Sequence, residues 1–288
     1  MEHALDNDNN EIYWKIAIEK SSYAEKKNSL IPLETQIIKT YDYNFSKFEL
    51  RKLSCNRPLS ILKNKPKKNP FLPWNKDLEL SKIGLKHILI LNKYPVQIGH
   101  MLLITKEWAP QNGWLSIEDW NALEIVDKDT PGLWFFNSSP ESGASQPHRH
   151  LQLLRRRNIQ SYCPRDTWFI NLLNKQYTNE DKIYNSTYVA RRNEEDNAYE
   201  LYYKYINACK CLKLGSPDTH SKPASPYNLL LGKNWLSVIR RSKDGTNGFN
   251  INALGFAGYL LATEISDISW LNVVGPEFLL GQLVDPKK

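Results

Sequence analysis

Cysteine and methionine are scarce. Four Cys in 288 residues are sparse beside the disulfide framework of a small secreted protein. Cys209 and Cys211 are one residue apart, and no second close pair completes a zinc site. With Cys55 and Cys163 they read as reduced thiols used for packing. Long apolar runs are also missing: none approaches the roughly 18–20 residues of a membrane helix. The acidic, polar start, Met1 to Asn10, does not have the pattern of a secretory signal. With 13 Gly and 16 Pro, collagen-like and low-complexity classes are excluded. Together these absences predict a cytoplasmic protein with no membrane association.

What is present is apolar and aromatic. Hydrophobic residues make up 41% of the chain and aromatics 11%, including nine Trp and fifteen Tyr. That supplies a core for one large domain or two modest ones, and it excludes a disordered chain, which lacks the apolar surface to offset ordering entropy. The 38 Lys+Arg exceed the 31 Asp+Glu, for a net charge of +7. The excess points to an anionic partner without distinguishing nucleic acid, a membrane surface or a small phosphate compound.

Good helix formers from Glu11 to Lys27 predict a helix. Phe45 to Leu53 reads as a strand. A basic stretch with two prolines, Arg57 to Lys68, leads into Asn69-Pro70-Phe71-Leu72-Pro73-Trp74, where two further prolines bracket apolar side chains. Such a segment is neither helix interior nor central strand, and reads as an ordered loop. Ile83 to Leu91 and His100 to Thr105 predict two strands joined by a short loop. Ser116-Ile117-Glu118-Asp119 matches a capping box and opens a helix to about Asp127. Leu133 to Asn137 is a third strand, Ser138 to Pro147 a loop of small residues, and His148 to Leu154 a fourth strand. Asp166 or Thr167 is expected to cap a helix to about Gln176. Asn193 to Leu214 is expected to be a longer helix ended by Gly215. Tyr227 to Leu231 and Trp235 to Arg240 form a hairpin across Gly232-Lys233-Asn234, whereas Asn252 to Thr263 is ambiguous. Strands and helices mixed with hairpin-like pairs predict α+β rather than a doubly wound parallel sheet.

The chemistry is concentrated in Ser142-Gly143-Ala144-Ser145-Gln146-Pro147-His148-Arg149-His150-Leu151-Gln152. On a strand, residues two apart share a face, so His148, His150 and Gln152 point one way and Arg149 and Leu151 the other. The preceding small residues let backbone N–H groups approach an anion, and Ser145 adds a hydroxyl. An imidazole with a neutral nitrogen can attack phosphorus near pH 7, if an acceptor holds the proton on its other nitrogen. An amide such as Gln152 can donate to a phosphoryl oxygen without titrating. Taken alone, a His-x-His pair fits three readings: a structural pair, a nucleophile, or half of a metal site. The last needs three or four ligands, for which His87 and His100 are the other nearby histidines.

The whole segment resembles the signature of the histidine-triad superfamily. More narrowly it is similar to the ATP adenylyltransferases, or diadenosine tetraphosphate phosphorylases, and to the related galactose-1-phosphate uridylyltransferases, which share Gln in place of a third His. Further blocks carry the likeness from about Lys65 to about Gly258: Leu91-Asn92-Lys93-Tyr94-Pro95, His100 to Thr105, Phe135-Phe136-Asn137-Ser138, the hairpin from Tyr227-Asn228-Leu229 to Arg241-Ser242, and Asn252-Ala253-Leu254-Gly255.

The resemblance implies a fold and a set of roles. The fold would be α+β and histidine-triad-like, a mixed or antiparallel sheet with packed helices. Two fused halves would form one compact unit, residues 1–158 carrying the nucleophile and 159–288 completing the substrate site. His150 would take AMP onto a ring nitrogen. Gln152 would contact the transferred phosphate, and His148 would order the turn. Gly143, Ala144, Ser145 and Gln146 would cradle the polyphosphate beside Asn137. Lys65, Asn92 and Lys93, and at the other end Asn252, Ala253, Leu254 and Tyr259, would bind substrate. The substrates would be a dinucleoside polyphosphate, ATP, ADP and phosphate. No cofactor would be held by the protein, though a divalent cation such as Mg²⁺ could accompany the phosphates, and no obligate protein partner is implied. Three departures stand out. Arg149 replaces a Lys on the outward face, Ser139-Pro140-Glu141 replaces a Gly-Pro pair, and Thr263 stands where some relatives carry Lys. Asn234 and Arg241 could bear on the site but are not counted among its residues. The rivals are a uridylyltransferase, a dinucleoside polyphosphate hydrolase, a metal hydrolase, and a nucleic-acid binder resting on Lys63 to Lys68 and Arg155 to Arg157. Such charge runs are more often solvated surface.

Overall fold

Short apolar runs build the central sheet. The computed structural model describes residues 11–43, 45–53, 69–156, 160–176 and 181–285. Its strands are β1 Thr35–Tyr43, β2 Ser46–Leu53, β3 Glu79–Ile83, β4 His87–Leu91, β5 Met101–Thr105, β6 Gly132–Asn137, β7 His150–Arg155, β8 Thr187–Arg191, β9 Tyr227–Leu231, β10 Trp235–Arg240, β11 Gly245–Thr246, β12 Phe249–Asn250 and β13 Tyr259–Ala262. Eight of them form one sheet in the order β3-β4-β5-β7-β6-β9-β10-β8. Each neighbouring pair in it is antiparallel. A second sheet, β1-β2-β13, is mixed, because β13 runs parallel to β2. The expected α+β class with a mixed or antiparallel sheet is what the structure has.

The helices are α1 Ile12–Lys26, α2 Ile117–Asp129, α3 Asp166–Leu173, α4 Lys182–Asn185, α5 Ala198–Cys211, α6 Ala253–Phe256, α7 Ile268–Val274 and α8 Pro276–Gly281. Ser116 and Asp119 close the expected capping box on α2, which presents buried Trp120, Leu123 and Val126 to the sheet while Ile125 stays exposed. The long helix is shorter than expected. Asn197 caps α5 reciprocally with Glu200, and Asp196 is held outside by the Asn193 N–H and Lys204. Its other end is not made by Gly215. Lys213 takes the left-handed conformation with φ 54°, and the Leu214 N–H reaches back to the Cys209 carbonyl at 2.9 Å. Neither Asp166 nor Thr167 caps α3. The cap residue is Arg165, a donor-only side chain that makes no cap bond, and the Asp166 carboxylate instead accepts the Trp235 indole N–H at 2.7 Å.

Every residue of β4, β6 and β9 is buried, because the large sheet is covered on both faces. On one face Trp134, Phe136, Leu151 and Leu153 share a core with α2 and α5. On the other, Leu133, Phe135, Leu154 and Leu230 share a core with α3, α6 and the small sheet. Phe135 pairs with Gln152 and Leu133 with Leu154 across β6 and β7, so Gln152 lies on this second face. There is room at Gly132 for a hydrogen alone: a Cβ would stand 2.3 Å from the Leu154 carbonyl oxygen.

Candidate active site

The two motif histidines differ in what their nitrogens have left to do. His148 sits just ahead of β7, in an isolated bridge with Pro110. Its Nδ1 lies 2.8 Å from the Asn69 side-chain nitrogen, and its Nε2 lies 3.0 Å from the Thr105 carbonyl and 2.8 Å from the Thr105 hydroxyl. A carbonyl can only accept, so Nε2 carries the proton and Nδ1 accepts from Asn69. The ring is wedged edge-on against Phe71 and Trp108. Burial lowers its pKa.

His150 is arranged in the opposite sense. Its Nδ1 is 2.8 Å from the His148 carbonyl, which fixes the proton on Nδ1 and leaves the Nε2 lone pair free. Burial pushes its pKa down to about 4, against the hydrogen bond to the His148 carbonyl, which favours protonation. The imidazole is therefore neutral through the physiological range. Its backbone N–H donates to Gln111 Oε1 at 2.8 Å, and Gln111 Nε2 donates to the carbonyls of Asn137 and His150. Phe71 touches both His150 and His148, so the two rings share a face as the strand period predicted.

Gln152 completes that face. It is half-buried, and its Oε1 lies 3.1 Å from His100 Nε2. Beyond it, Leu154 lines a cleft of about 210 Å³ together with Gln97, Arg156, Asn252, Leu254 and Tyr259.

The turn between β6 and β7 departs from the expectation in one respect. The N–H groups of Gly143 and Ala144 are spent inside the turn, on the carbonyls of Pro140 and Ser139, each at 2.9 Å. They do not face an incoming anion, because a short 3-10 turn at Pro140–Ser142 folds the segment back on itself. Gly143 matters for another reason. Its φ is +90°, and a Cβ there would lie 2.6 Å from Asn252 Cβ, so only glycine lets the turn touch the C-terminal segment. Gly143→Ala is expected to cost about 1–3 kcal/mol and to lower the midpoint of urea unfolding. Ser145 is exposed and Gln146 half-buried at the outer end of the turn.

Buried amides tie the turn to the second half of the chain. Asn137 Oδ1 accepts from Asn228 Nδ2 at 2.8 Å and from the Ala253 N–H at 2.9 Å. Asn228 also donates to the Ser142 carbonyl at 2.8 Å. Asn252 caps the short α6 through the Leu254 N–H. Arg241 is buried beneath them. It donates to Asn228 Oδ1 at 2.5 Å and to the Ile251 carbonyl at 2.9 Å, and burial lowers its pKa to about 9. The structure thus gathers His148, His150, Gln152, Asn137, Gly143, Asn252, Ala253, Leu254 and Tyr259 around one region. Asn92 is reached through His100, 3.2 Å from its Nδ1. Lys93 is exposed, with its amine 5.6 Å from the Tyr94 ring centroid. Lys65, like Cys55, lies outside the described residues.

Two expectations are corrected. Arg149 points away from His150 but is not at the surface. It is 6% exposed and donates to Asp119 Oδ2 at 2.7 Å, whose other oxygen is 2.8 Å from His87 Nε2. A hydrophobic core lies over that face, so the charge had to be paired. The run at Arg155 to Arg157 is not simple solvated surface either. Arg155 pairs with Glu11 over the Trp14 ring. Arg156 bonds Gln97 and the Tyr259 hydroxyl in the wall of the cleft. Arg157 lies outside the described residues. Sequence reasoning gave no role to His100, Gln111, Asn69 or Arg241. For His100 and Arg241 the one signal was polarity at the end of an apolar strand; Asn69 and Gln111 lie in loops and carried none.

The site is thus a His-x-His-x-Gln strand presented by an antiparallel sheet, beside a small-residue turn, in an α+β fold. The chain belongs to the Ap4A phosphorylase and ATP adenylyltransferase family: residues 4–164 match the Ap4A phosphorylase N-terminal domain and 165–286 the ATP adenylyltransferase C-terminal domain. It is 29% identical over 201 residues to diadenosine 5',5'''-P1,P4-tetraphosphate phosphorylase 2 of Saccharomyces cerevisiae, across 61% of this chain and 62% of that protein. It is 28% identical to the protein APA1 of the same yeast, across 60% of each. The aligned part thus spans about three fifths of those relatives. The fold is that of the crystal structure of yeast Ap4A phosphorylase Apa2 in complex with AMP, with a TM-score of 0.74 at 22% identity over 96% of this chain and 97% of that one. The same protein in complex with Ap4A gives a TM-score of 0.70 at 21% identity over 98% and 99%.

Proposed function

We propose that this protein phosphorolyses diadenosine tetraphosphate to ATP and ADP, reversibly, through an adenylyl group carried on His150. The observation that carries the reading is the His150 tautomer. Nδ1–H is committed to the His148 carbonyl, so an unprotonated Nε2 stands ready on the same face as the Gln152 amide. The relatives' names and the Ap4A and AMP complexes of Apa2 support the substrate class.

In the first step the Nε2 lone pair attacks the α-phosphorus, an N–P bond forms, and the P–O bond to the β-phosphate breaks to release ATP. No proton has to leave the imidazole, and the positive charge it gains is stabilised by the His148 carbonyl. An oxygen of inorganic phosphate then attacks the same phosphorus, releases ADP and restores Nε2. Splitting one transfer over a covalent intermediate is the logic of nucleophilic catalysis. Gln152 would donate to the developing phosphoryl charge, with Ser145 and Gln146 at the turn and Lys65 and Lys93 supplying cations. A divalent ion such as Mg²⁺ would travel with the polyphosphate. Asn252, Leu254 and Tyr259 would hold nucleoside in the cleft.

Two halves would share the task, residues 1–158 supplying the nucleophile and 159–288 the far wall. The pairing of β6 with β9 and the cleft lined by both Leu154 and Asn252 support that division. Reduced cysteines fit a cytoplasmic setting, and Cys163, Cys209 and Cys211 are free thiols. Among the described residues no helix is long and apolar enough to cross a membrane.

Product analysis tests the reading. With diadenosine tetraphosphate and phosphate the expected products are ATP and ADP. ATP and AMP without any need for phosphate would mean hydrolysis, and preference for a UDP-sugar would mean a uridylyltransferase. Gln152→Ala is expected to slow transfer about 10²–10³-fold with little change in the unfolding midpoint, read by single-turnover kinetics beside a melt.

A further inference from the structure

We propose that His100 is a positioning residue for the transfer, fixing the Gln152 amide with its NH2 group, not its oxygen, toward the phosphate. The proposal rests on the adenylyl-transfer reading and adds a part to it.

The orientation follows from one group that cannot reverse. The backbone N–H of Tyr94 donates to Asn92 Oδ1 at 3.0 Å, so that end of the Asn92 amide is oxygen. Its NH2 end then faces His100 Nδ1 at 3.2 Å. An NH2 group can only donate, so Nδ1 is unprotonated and the ring proton sits on Nε2. Nε2 lies 3.1 Å from Gln152, and an N–H there requires an acceptor, so the Gln152 oxygen turns toward His100. The Gln152 NH2 is left pointing away from His100, on the strand face that carries His150. The reversed amide would set its NH2 against an N–H and its oxygen against phosphoryl oxygens.

The relay has to be neutral to work, because a second proton on His100 would oppose the Asn92 NH2. His100 is 3% exposed, with the Phe135 ring 5.9 Å away. Burial pushes its pKa down to about 4, with the Gln152 hydrogen bond opposing and His150 adding to the fall. Among the described residues His150, from β7, is the titratable group acting on His100; Gln152 and Phe135 from the strands beside it are uncharged.

Asn92→Asp tests the direction of the relay. A carboxylate only accepts, so it draws the His100 proton to Nδ1. While the ring is neutral, Nε2 becomes an acceptor, Gln152 turns over, and its oxygen meets the phosphate. The new carboxylate also raises the His100 pKa by charge pairing, so toward pH 5.5 the ring gains a second proton, the Nε2–H returns and so does the productive amide. Single-turnover adenylylation at saturating diadenosine tetraphosphate is expected to be about 10²-fold slower than wild type near pH 8. The ratio to wild type is expected to recover about tenfold or more toward pH 5.5, as each 1.4 kcal/mol regained in amide orientation is worth a factor of ten. His100→Gln, which keeps an N–H donor for Gln152, should stay within about tenfold of wild type, while His100→Phe should lose about 10²-fold in kcat with KM little changed. A variant-to-wild-type ratio that is the same at both pH values, or a His100→Gln protein no faster than His100→Phe, overturns the proposal. The pH ratio is read within one folded protein, so it decides even if a His100 variant does not fold. Failure of the wild-type protein to form any adenylyl adduct would overturn the transfer reading itself, a separate result.

Discussion

A His150→Ala protein is expected to lose adenylyl transfer by about 10⁴-fold or more, the size seen when a covalent nucleophile is removed and binding groups remain. The loss should be this large because no other histidine of the site has a nitrogen to offer. His148 is bonded at both ring nitrogens, to Asn69 and Thr105, and His100 at both of its own, to Asn92 and Gln152. Gln152 has no lone pair basic enough to form a stable bond to phosphorus. The fold should survive, since Gln111 still holds the strand through the backbone N–H and carbonyl of residue 150. The assay is release of ATP and ADP from diadenosine tetraphosphate plus phosphate. Retention of the wild-type rate would remove His150 from the mechanism.

The largest effect on stability is expected behind the strand that carries His150. Asp119 is 2% exposed and receives Arg149, His87 and the Ser116 N–H, at 2.7, 2.8 and 2.7 Å. Asp119→Ala would remove the reciprocal half of the capping box and leave a buried guanidinium without its counter-charge. Breaking a buried pair from one side costs about 3–5 kcal/mol, and that shift should appear in the guanidinium-chloride midpoint without a change in slope. Burial raises the Asp119 pKa, but the His87 hydrogen bond and the Arg149 charge outweigh it and hold the group below its usual value. The folded pKa is depressed, so the stabilisation is complete above the unfolded carboxyl value and is lost as pH falls through the folded one. Stability of the wild-type protein should therefore fall below about pH 4, and less so in the Ala variant. Equal acid sensitivity in the two would show that Asp119 is not the group responsible.

What could be read in advance was what lies close in sequence. The strand period placed His148, His150 and Gln152 on one face, and Ser116 with Asp119 announced a helix start that the structure bears out. The hairpin of β9 and β10 declared itself by two apolar runs around Gly232-Lys233-Asn234. Edge and exposed strands were harder. β1 is mostly exposed along its length and β8 half-buried at the end of the sheet, so neither needs the apolar alternation by which a strand is recognised. Caps failed where a tertiary partner competed: Asp166 was taken by Trp235. The groups that bond to the motif and its turn were the least legible. Asn69, His100, Gln111 and Asn228 come from separate segments and meet the motif only once the sheet has formed. A single polar residue at a strand end carries no mark of the partner it will find.

The most direct test is to trap the intermediate. The protein is incubated with diadenosine tetraphosphate labelled at the α-phosphorus, without inorganic phosphate, then quenched in base and digested. The label is expected on a single peptide, as an acid-labile AMP adduct on His150, and it should chase into ADP when phosphate is added before quenching. Full turnover to ATP and ADP with no label on His150, or with the label on another residue, would contradict the account.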